Sequence, residues 1–155
     1  MSVRATVAGV ETDEAIRTIS ESFDRIATGA RRSVRASATE LAEGLQPAAW
    51  PVFREVVRAE RIQASTIIAT LGMDKSAVSR HLKELREHGL VDAERDDHDA
   101  RVFWISPTPL ALARLAVVVE TQQARLREGL DTWEPEDVER FARLLARFSG
   151  AATSD

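Results

Sequence analysis

The positions of apolar and polar residues divide the chain into helical segments and one strand-like segment. From Asp13 to about residue 43, apolar residues recur at the three- and four-residue steps of a helix, which places them on one face. They are Ile16, Ile19, Phe23, Ile26, Ala30, Val34 and Leu41. Residues 1–12 carry little pattern, so we expect a flexible N-terminus followed by one long helix, residues 13–43.

A second helical pattern follows the helix stop at Gly44, with apolar residues at helical spacing between Pro47 and Arg58. Pro47 suits the first turn of a helix, where its missing N–H group is not needed. Pro51 lies inside the pattern, so this helix is either kinked or begins later than Pro47.

Two shorter helical patterns come next, separated by a tight turn at Gly72. The first covers Ser65–Leu71. The second begins after Asp74, a residue type that caps helices well, and ends near His88, where Gly89 supplies a stop. Two helices joined by such a turn form a helix-turn-helix.

The pattern then changes to the alternation that is typical of strands. Leu90–Arg95 and Arg101–Ile105 flank a short acidic turn, which predicts an antiparallel hairpin. After the hairpin, Pro109–Leu130 and Pro135–Phe148 return to helical spacing, and Thr108 caps the first of these helices.

These elements predict a mainly α fold with a small β-hairpin wing. A winged helix-turn-helix DNA-binding lobe, residues 45–107, would lie between two helical segments that form a dimerisation arm, residues 13–43 and 108–149. Residues 150–155 are expected to be a flexible tail. The apolar stripes of the first and last helices have no evident partner in so short a chain, so we expect a homodimer; packing within one chain is the alternative.

Composition limits the function classes. Apolar residues make up 44% and charged residues 30% of the 155 residues, which is the balance of a globular protein with a core. No run reaches the roughly 20 apolar residues of a membrane span, and the N-terminus has no apolar core of signal-peptide length. Cysteine is absent as well, so we expect a cytoplasmic protein without a membrane partner, disulfides or thiolate metal sites.

Net charge gives no direct sign of a nucleic-acid partner. It is −4, whereas compact nucleic-acid binders are often basic. A local basic face can nevertheless exist on an acidic molecule, so the positions of the cations matter more than their number.

The second helix of the helix-turn-helix carries side chains that suit a DNA major groove. Its apolar face consists of Val78, Leu82 and Leu85, and the opposite face carries Ser76, Ser79, Arg80 and Lys83. Arg80 can bind guanine O6 and N7 with its planar guanidinium, and the serines can bond to phosphates or base edges. Lys83 suits a phosphate as a flexible point charge. An ordinary solvated helix face, with Lys83 near Glu87, is the alternative.

The hairpin offers a second contact region. Two antiparallel strands with a polar tip can reach the minor groove or the DNA backbone beside the helix, provided that cations lie near the tip. Arg95 and Arg101 meet that requirement, and Asp99 is a candidate partner for the guanidinium of Arg101. The alternative is a solvated hairpin whose acidic tip satisfies its own backbone.

A long stretch of the sequence, LGMDKSAVSRHLKELREHGLV followed by DHDAR, a strand and SPTP, resembles the winged helix-turn-helix of the multiple-antibiotic-resistance regulator (MarR) family. The residues at the family's typical positions are Leu71, Gly72, Leu85, Gly89, Leu90, Val91, Asp99, Arg101 and Thr108. The resemblance implies a homodimeric repressor of transcription that binds a pseudo-palindromic operator in double-stranded DNA. The DNA contacts expected in this chain are Lys75, Ser76, Ser79, Arg80, Lys83, Arg95, Asp99 and Arg101.

The resemblance also implies a small aromatic or anionic effector bound between the dimerisation arm and the DNA-binding lobe. In this chain Trp50, Phe53 and Arg54 would line such a cleft, although each is an equally good core or surface residue. Ala93 departs from the family's pattern, which usually has an arginine there. This loss of a cation, and the excess of acidic residues in the helix and hairpin, leave open a protein–protein interaction module that has lost DNA binding.

Catalysis and metal binding find little support in the residue pattern. No nucleophile–base pair, Gly-rich phosphate loop or acid pair occurs at a usable spacing, so we predict no enzyme, catalytic residue or cofactor. The potential metal ligands are Asp97, His98 and Asp99 at the hairpin tip, and His81 with His88 on the preceding helix. Structural zinc sites usually draw on cysteine, so we predict no metal site and keep a metal-responsive repressor as an alternative.

Overall fold

The computed structural model describes residues 2–97, 99 and 102–152. Within them it contains six helices and three short strands: α1 (Ser2–Leu41), α2 (Ala49–Ala59), β1 (Ile62–Gln63), α3 (Ala64–Leu71), α4 (Lys75–Glu87), β2 (Val91–Arg95), β3 (Phe103–Pro107), α5 (Pro109–Leu130) and α6 (Pro135–Ala152). The prediction of a mainly α fold with a small β wing is confirmed. The chain divides into two compact units, Met1–Leu115 and Ala116–Asp155, and the first contains the winged helix-turn-helix.

The first helix is longer than predicted. It begins at Ser2 rather than at Asp13, so the residues expected to be a flexible N-terminus continue the helix. The segment 2–12 contains no proline and a single glycine, Gly9, so its backbone can extend a helix that the following turns have nucleated. The last turns of α1 enter the core of the first unit, where Ala38 and Leu41 are buried.

The start of α2 explains how Pro51 is accommodated. The helix begins at Ala49, with Ala48 as its N-cap residue, so Pro51 lies in the first turn, where no intrahelical N–H bond is lost. The fully buried residues of its inward face are Val52, Phe53 and Val56. This face forms the centre of the core, against which α3 and α4 pack.

The helix-turn-helix is closed by the residues that the sequence indicated. Gly72 ends α3 in the left-handed conformation, with φ 61°. The carboxylate of Asp74 then caps α4 by accepting a backbone N–H from its first turn. At the other end Gly89 has φ 68°, and the N–H of Leu90 bonds to the carbonyl of Leu85 at 2.9 Å, which ends α4 and turns the chain toward the sheet.

In the described part of the chain, the sheet has three strands rather than the predicted two. β1 pairs antiparallel with β3, with Ile62 opposite Ile105, so the strand order is β1–β3–β2. A strand of two residues shows no alternation along the sequence, and its pairing with β3 depends on the packing of the whole unit.

The two predicted wing strands are present with shifted bounds. β2 begins at Val91 and ends at Arg95, which lies opposite Phe103, the first residue of β3. β3 therefore starts later than the predicted Arg101, which lies outside the described residues. In the described part of the turn, the N–H of Val102 bonds to the carbonyl of Asp99 rather than to that of Asp96, so the ladder ends at the pair of Arg95 and Phe103.

The start of α5 is tied to the end of α4. Pro109 occupies the first helical position, as predicted, and the hydroxyl oxygen of Thr108 accepts the N–H of Ala111 at 3.1 Å. The same hydroxyl donates to the carbonyl of Gly89 at 2.7 Å, and the N–H of Thr108 bonds to the carbonyl of Leu90 at 3.1 Å. The wing is thus closed at its base by Thr108.

The second unit consists of the remainder of α5 and of α6. α6 ends at Ala152, so the helix continues into the tail that was expected from Gly150, and residues 153–155 lie outside the described part of the chain. The rings of Trp133 and Phe141 meet edge to face, with centroids 5.5 Å apart. None of the described helices is both long enough and apolar enough to cross a membrane.

Large apolar side chains remain exposed on the first and last helices. On α1 they are Ile16, Ile19, Phe23 and Ile26, and on α6 they are Phe141, Leu144, Leu145 and Phe148. Ile26 is 60% exposed and Leu145 is 44% exposed. Each stripe is thus an exposed apolar surface of its own helix.

Candidate nucleic-acid interface

The two faces of α4 are sharply different. Val78 and Leu85 are fully buried and Leu82 is partly buried, as their spacing predicted. The solvent face carries Lys75, Ser76, Ser79, Arg80, Lys83 and Arg86, all of them exposed or partly exposed. Because the buried face fixes the helix in the core, these polar side chains form a row along a rigid rod. A rod of this kind is the element that helix-turn-helix proteins insert into a major groove.

The N-terminus of α4 is organised around Asp74. Its carboxylate accepts the hydroxyl of Ser76 at 2.5 Å and the N–H of Ala77 at 2.8 Å. These two bonds, and to a smaller extent the charge of Arg80, hold the pKa of the Asp74 carboxyl below its ordinary value. Because Asp74 engages the hydroxyl proton of Ser76, this serine is left to accept hydrogen bonds from a ligand rather than to donate them.

Lys83 is only loosely held. Its Nζ lies 3.7 Å from the carboxylate of Glu87, and both side chains are largely exposed. A pair of this kind contributes little and is screened by salt. Lys83 can therefore exchange the glutamate for a phosphate with little loss of free energy.

The tip of the wing is stabilised by the carboxylate of Asp96. One oxygen accepts the backbone N–H of Asp99 at 3.0 Å, and the other accepts the indole N–H of Trp104 at 2.7 Å. Across the turn, the N–H of Asp96 donates to the carbonyl of Val102 at 3.0 Å. The N–H of Val102 donates to the carbonyl of Asp99 at 2.9 Å. In the described part of the acidic turn, these bonds join the two strands and restrict the geometry of the hairpin.

Two cation–aromatic contacts flank the sheet in the described part of the chain. The guanidinium of Arg95 lies 5.5 Å from the ring centroid of Phe103, its partner across the β2–β3 ladder. The guanidinium of Arg61, which precedes β1, lies 4.6 Å from the ring centroid of Trp104. Such contacts restrict the orientation of a guanidinium without using its N–H donors. Arg95 is exposed, so these donors remain available to a phosphate.

α4 and the wing border one groove. A cleft of about 300 Å³ between them is lined by Ser79 and Lys83 of α4 and by Ala93 and Phe103 of the sheet. Ser79 and Lys83 therefore line the same cleft as Phe103, the residue whose ring the guanidinium of Arg95 contacts. Asp99 is exposed, but its predicted partner Arg101 lies outside the described residues, so that pairing stays a prediction.

The residues considered for an effector site lie on α2. Trp50 and Phe53 are buried, with their ring centroids 6.0 Å apart, and the guanidinium of Arg54 lies 5.9 Å from the Trp50 ring. The two aromatic side chains thus contribute to the core, and a role for this cluster in ligand binding stays a prediction.

The histidines are not gathered into a metal site within the described residues. No group of three or more His, Cys, Asp or Glu side chains with metal-binding geometry occurs there, and His98 lies outside them. His81, expected on the recognition helix beside the DNA contacts, faces inward and is only 7% exposed. Among the described residues its Nδ1 has no hydrogen-bond partner, and it lies 3.5 Å from the carboxylate of Glu84.

Sequence reasoning missed several contacts of this surface. The stacking of Arg61 on Trp104 depends on β1, which has no recognisable pattern. The bond from Trp104 to Asp96 was not anticipated either, although an acidic residue at the end of β2 and a tryptophan in β3 were visible in the chain. Arg86 was not among the predicted contacts, yet it is exposed and also lines the cleft beside Lys83.

The comparisons with known proteins agree with this geometry. A model of the MarR family matches residues 43–102. No curated protein matches the chain in a sequence search. The family match covers the helix-turn-helix and the first wing strand, β2, and ends before β3.

Solved structures share the fold over nearly the whole chain. The structure of a MarR family protein from Bacillus stearothermophilus matches with a TM-score of 0.79 at 17% identity, over 92% of this chain and 98% of the other. The YusO protein from Bacillus subtilis matches with a TM-score of 0.71 at 19% identity, over 90% and 97%. A transcriptional regulator from Thermotoga maritima matches with a TM-score of 0.63 at 18% identity, over 84% and 94%. Identities this low establish the fold and nothing finer. The chain thus matches the MarR family over its residues 43–102 and has a winged helix-turn-helix fold that solved MarR family structures share.

Proposed function

We propose that this protein is a homodimeric repressor of transcription that binds a pseudo-palindromic operator in double-stranded DNA. The observation that carries the proposal is the solvent face of α4, where Ser79, Arg80 and Lys83 are accessible along a helix whose other face is buried. A rigid helix with small polar residues and an arginine near its N-terminus suits base reading in a major groove.

The proposed contacts fall into two groups. Arg80, Ser76 and Ser79 read base edges, with Arg80 binding a guanine through its two-pronged guanidinium. The residues that bind phosphates or enter the minor groove are Lys75, Lys83, Arg95 and Arg101, with Asp99 orienting Arg101. Two features support this division: Lys83 is held only by an exposed glutamate within the described residues, and the guanidinium of Arg95 is oriented by Phe103 through a contact that leaves its donors available.

Two arguments support the dimer: the geometry of operator binding, and the exposed apolar stripes of α1 and α6. Two recognition helices must lie roughly 34–36 Å apart to reach successive major grooves on one side of the duplex. The exposed apolar residues of α1 and α6, such as Ile26 and Leu145, supply surfaces that a second copy would cover. In this proposal residues 13–43 and 108–149 form the dimerisation arm, residues 45–107 form the DNA-binding domain, and the protein acts in the cytoplasm.

Release by a small aromatic or anionic molecule is a further part of the proposal. A ligand between the arm and the DNA-binding lobe would change the distance between the two recognition helices and so lower operator affinity. Trp50, Phe53 and Arg54 are the candidate contacts. The proposal includes no metal and no catalytic step.

The test is a mobility-shift assay with the purified protein and the DNA upstream of its own gene, supplemented by selection of bound duplexes from a random pool. We expect a retarded complex at low salt that weakens as salt is raised, because phosphate contacts release counterions. The selected sequences should contain an inverted repeat with half-sites about 10 base pairs apart.

One result would contradict DNA binding. If the intact dimer retards no duplex at low salt and selects no sequence, the acidic balance of the helix and wing would favour a protein–protein interaction module instead. Sedimentation of the same preparation checks that the dimer was present.

A further inference from the structure

The segment between α1 and α2 receives long-range side-chain bonds from two other elements of the first unit. We call this segment, residues 41–48, the α1–α2 junction. Oε1 of Glu84, on the recognition helix α4, accepts the backbone N–H of Gln46 at 2.7 Å. Nη1 of Arg114, on α5, donates to the backbone carbonyl of Leu41 at 3.2 Å.

Three apolar residues of the junction are packed into the core. Leu41, Ala42 and Leu45 are buried, and the N–H of Leu45 bonds to the carbonyl of Ala42 at 3.2 Å. The bond from Arg114 therefore acts on the last carbonyl of α1, and the bond from Glu84 acts on Gln46, next to the buried Leu45.

Glu84 is placed where the recognition helix meets this junction. Its side chain is only 19% exposed, and its second carboxylate oxygen lies 3.5 Å from Nδ1 of the buried His81. The bond to Gln46 is short and has an ionised acceptor, which makes it stronger than a bond between neutral groups. It joins positions far apart in the chain and links α4 directly to the connection from α1.

Arg114 completes a second link between the same two helices. The start of α5 is bonded to the end of α4 through Thr108, whose hydroxyl donates to the carbonyl of Gly89. Arg114 then reaches from α5 to the last carbonyl of α1, where a cation is also favoured by the helix dipole. Two sets of hydrogen bonds thus connect α4 to α1. One is formed by Glu84, and the other is formed by Thr108 and Arg114.

We infer that Glu84 and Arg114 are positioning residues that hold the recognition helix at a fixed angle to α1. The inference rests on the proposed function, in which α1 belongs to the dimerisation arm. In a dimer, the angle between arm and recognition helix decides the distance between the two recognition helices. Glu84 and Arg114 therefore determine how strictly the protein selects the spacing of the two half-sites, whereas neither one contacts the DNA.

The experiment compares three synthetic duplexes: the selected inverted repeat, the same repeat with one base pair added or removed at its centre, and a duplex with a single half-site. The full-length wild-type protein should prefer the native spacing. Glu84→Ala should reduce this preference by about tenfold, the effect of one hydrogen bond to a charged group. Its affinity for the single half-site should stay within about twofold of wild type once charge is accounted for by the control below.

Two further variants distinguish the effect of the hydrogen bond from Gln46 to Glu84 from the effect of removing a negative charge from α4. Glu84→Gln keeps an oxygen that can accept the Gln46 N–H, so it should retain the spacing preference. Glu87→Ala removes a carboxylate from the same helix without touching the junction, so it should raise affinity for all duplexes equally and leave the preference unchanged. If Glu84→Ala proves too unstable to purify, Arg114→Met, which keeps the apolar stem, should show the same loss of preference.

The outcomes distinguish the inference from the proposed function. If the wild-type protein binds no duplex, the proposed function fails and the inference fails with it. If the wild-type protein prefers one spacing and both Glu84→Ala and Arg114→Met keep that preference, the inference alone is wrong. A loss of preference in Glu84→Gln as large as in Glu84→Ala would also overturn it, because charge rather than the bond to Gln46 would then be the cause.

Discussion

Arg80 and Arg101 are expected to contribute to DNA binding in different ways, one at a base and the other at the backbone. Arg80→Ala should cost about 1–3 kcal/mol at one base position and relax the preference there, because a two-pronged contact to guanine is lost. Fluorescence anisotropy with the operator and with duplexes altered at single base pairs measures both effects. If Arg80→Ala weakens binding to every duplex by the same factor, Arg80 binds the backbone instead.

Arg101→Ala should weaken binding to all sequences alike and reduce the slope of log affinity against log salt by about 1. The dimer and its melting temperature should not change, since the residue is expected to act only on DNA. Circular dichroism and sedimentation serve as the controls. An unchanged affinity for every duplex would contradict the proposed role of the wing.

At the residue scale, the sequence was most informative where a side chain acts on its own neighbourhood. The cap formed by Asp74 and the apolar face of Val78 and Leu85 were predicted because both follow from spacing within one helix. The inward position of His81 was not predicted, since this position lies at the edge of the apolar face and its burial depends on what packs beside it. The capture of the Ser76 hydroxyl by Asp74 also became visible only in three dimensions.

The left-handed backbone at Gly72 gives a prediction for the stability of the helix-turn-helix. Gly72 ends α3 with φ 61°. A Cβ added there would meet no described atom within 4 Å beyond the adjoining residues, so only the backbone conformation opposes a side chain. Gly72→Ala should lower the free energy of unfolding by about 1–2 kcal/mol. Chemical denaturation followed by circular dichroism measures this change.

Glu60 also has a positive φ at a helix end, but unlike Gly72 it carries a side chain. It closes α2 with φ 59°, a conformation that a residue with a side chain adopts only at a cost. Glu60→Gly should therefore raise the free energy of unfolding by about 1 kcal/mol. Equal destabilisation by both substitutions would show that left-handed geometry is not the deciding factor at these helix ends.

At the element scale, the long helices and the two main strands were recognisable, whereas β1 was not. α2, α4 and α5 have stops, caps and apolar periods within their own sequence. β1 consists of Ile62 and Gln63 alone and exists because β3 lies beside it. The stacking of Arg61 on Trp104 depends on this pairing and was therefore missed as well.

The exposed stripe of α1 leads to a prediction for the whole molecule. Ile26→Glu would place a carboxylate in the proposed dimer interface, where it could not be buried without a large desolvation penalty. We expect a monomer by sedimentation and a loss of operator binding, with the fold of each chain retained. Thr28→Glu adds the same charge at an exposed position outside the stripe and should leave the dimer intact.

An Ile26→Glu protein that remains dimeric and binds the operator with wild-type affinity would place the interface elsewhere. In that case the exposed side chains of α1, which include Ile16 and Ile19, would require a different partner. The sedimentation measurement decides between these outcomes without reference to DNA.

Local sequence was sufficient for the helices, their caps, the glycine turns and the resemblance to a DNA-binding lobe, because each depends on residues within a few positions of one another. Tertiary packing decided the third strand, the inward turn of His81 and the bonds from Glu84 and Arg114 to the α1–α2 junction. The pairing of β1 and the two junction bonds join groups far apart in the chain, and both junction bonds end on backbone atoms that every residue possesses. No residue pattern marks such a partner, so only the packed structure identifies it.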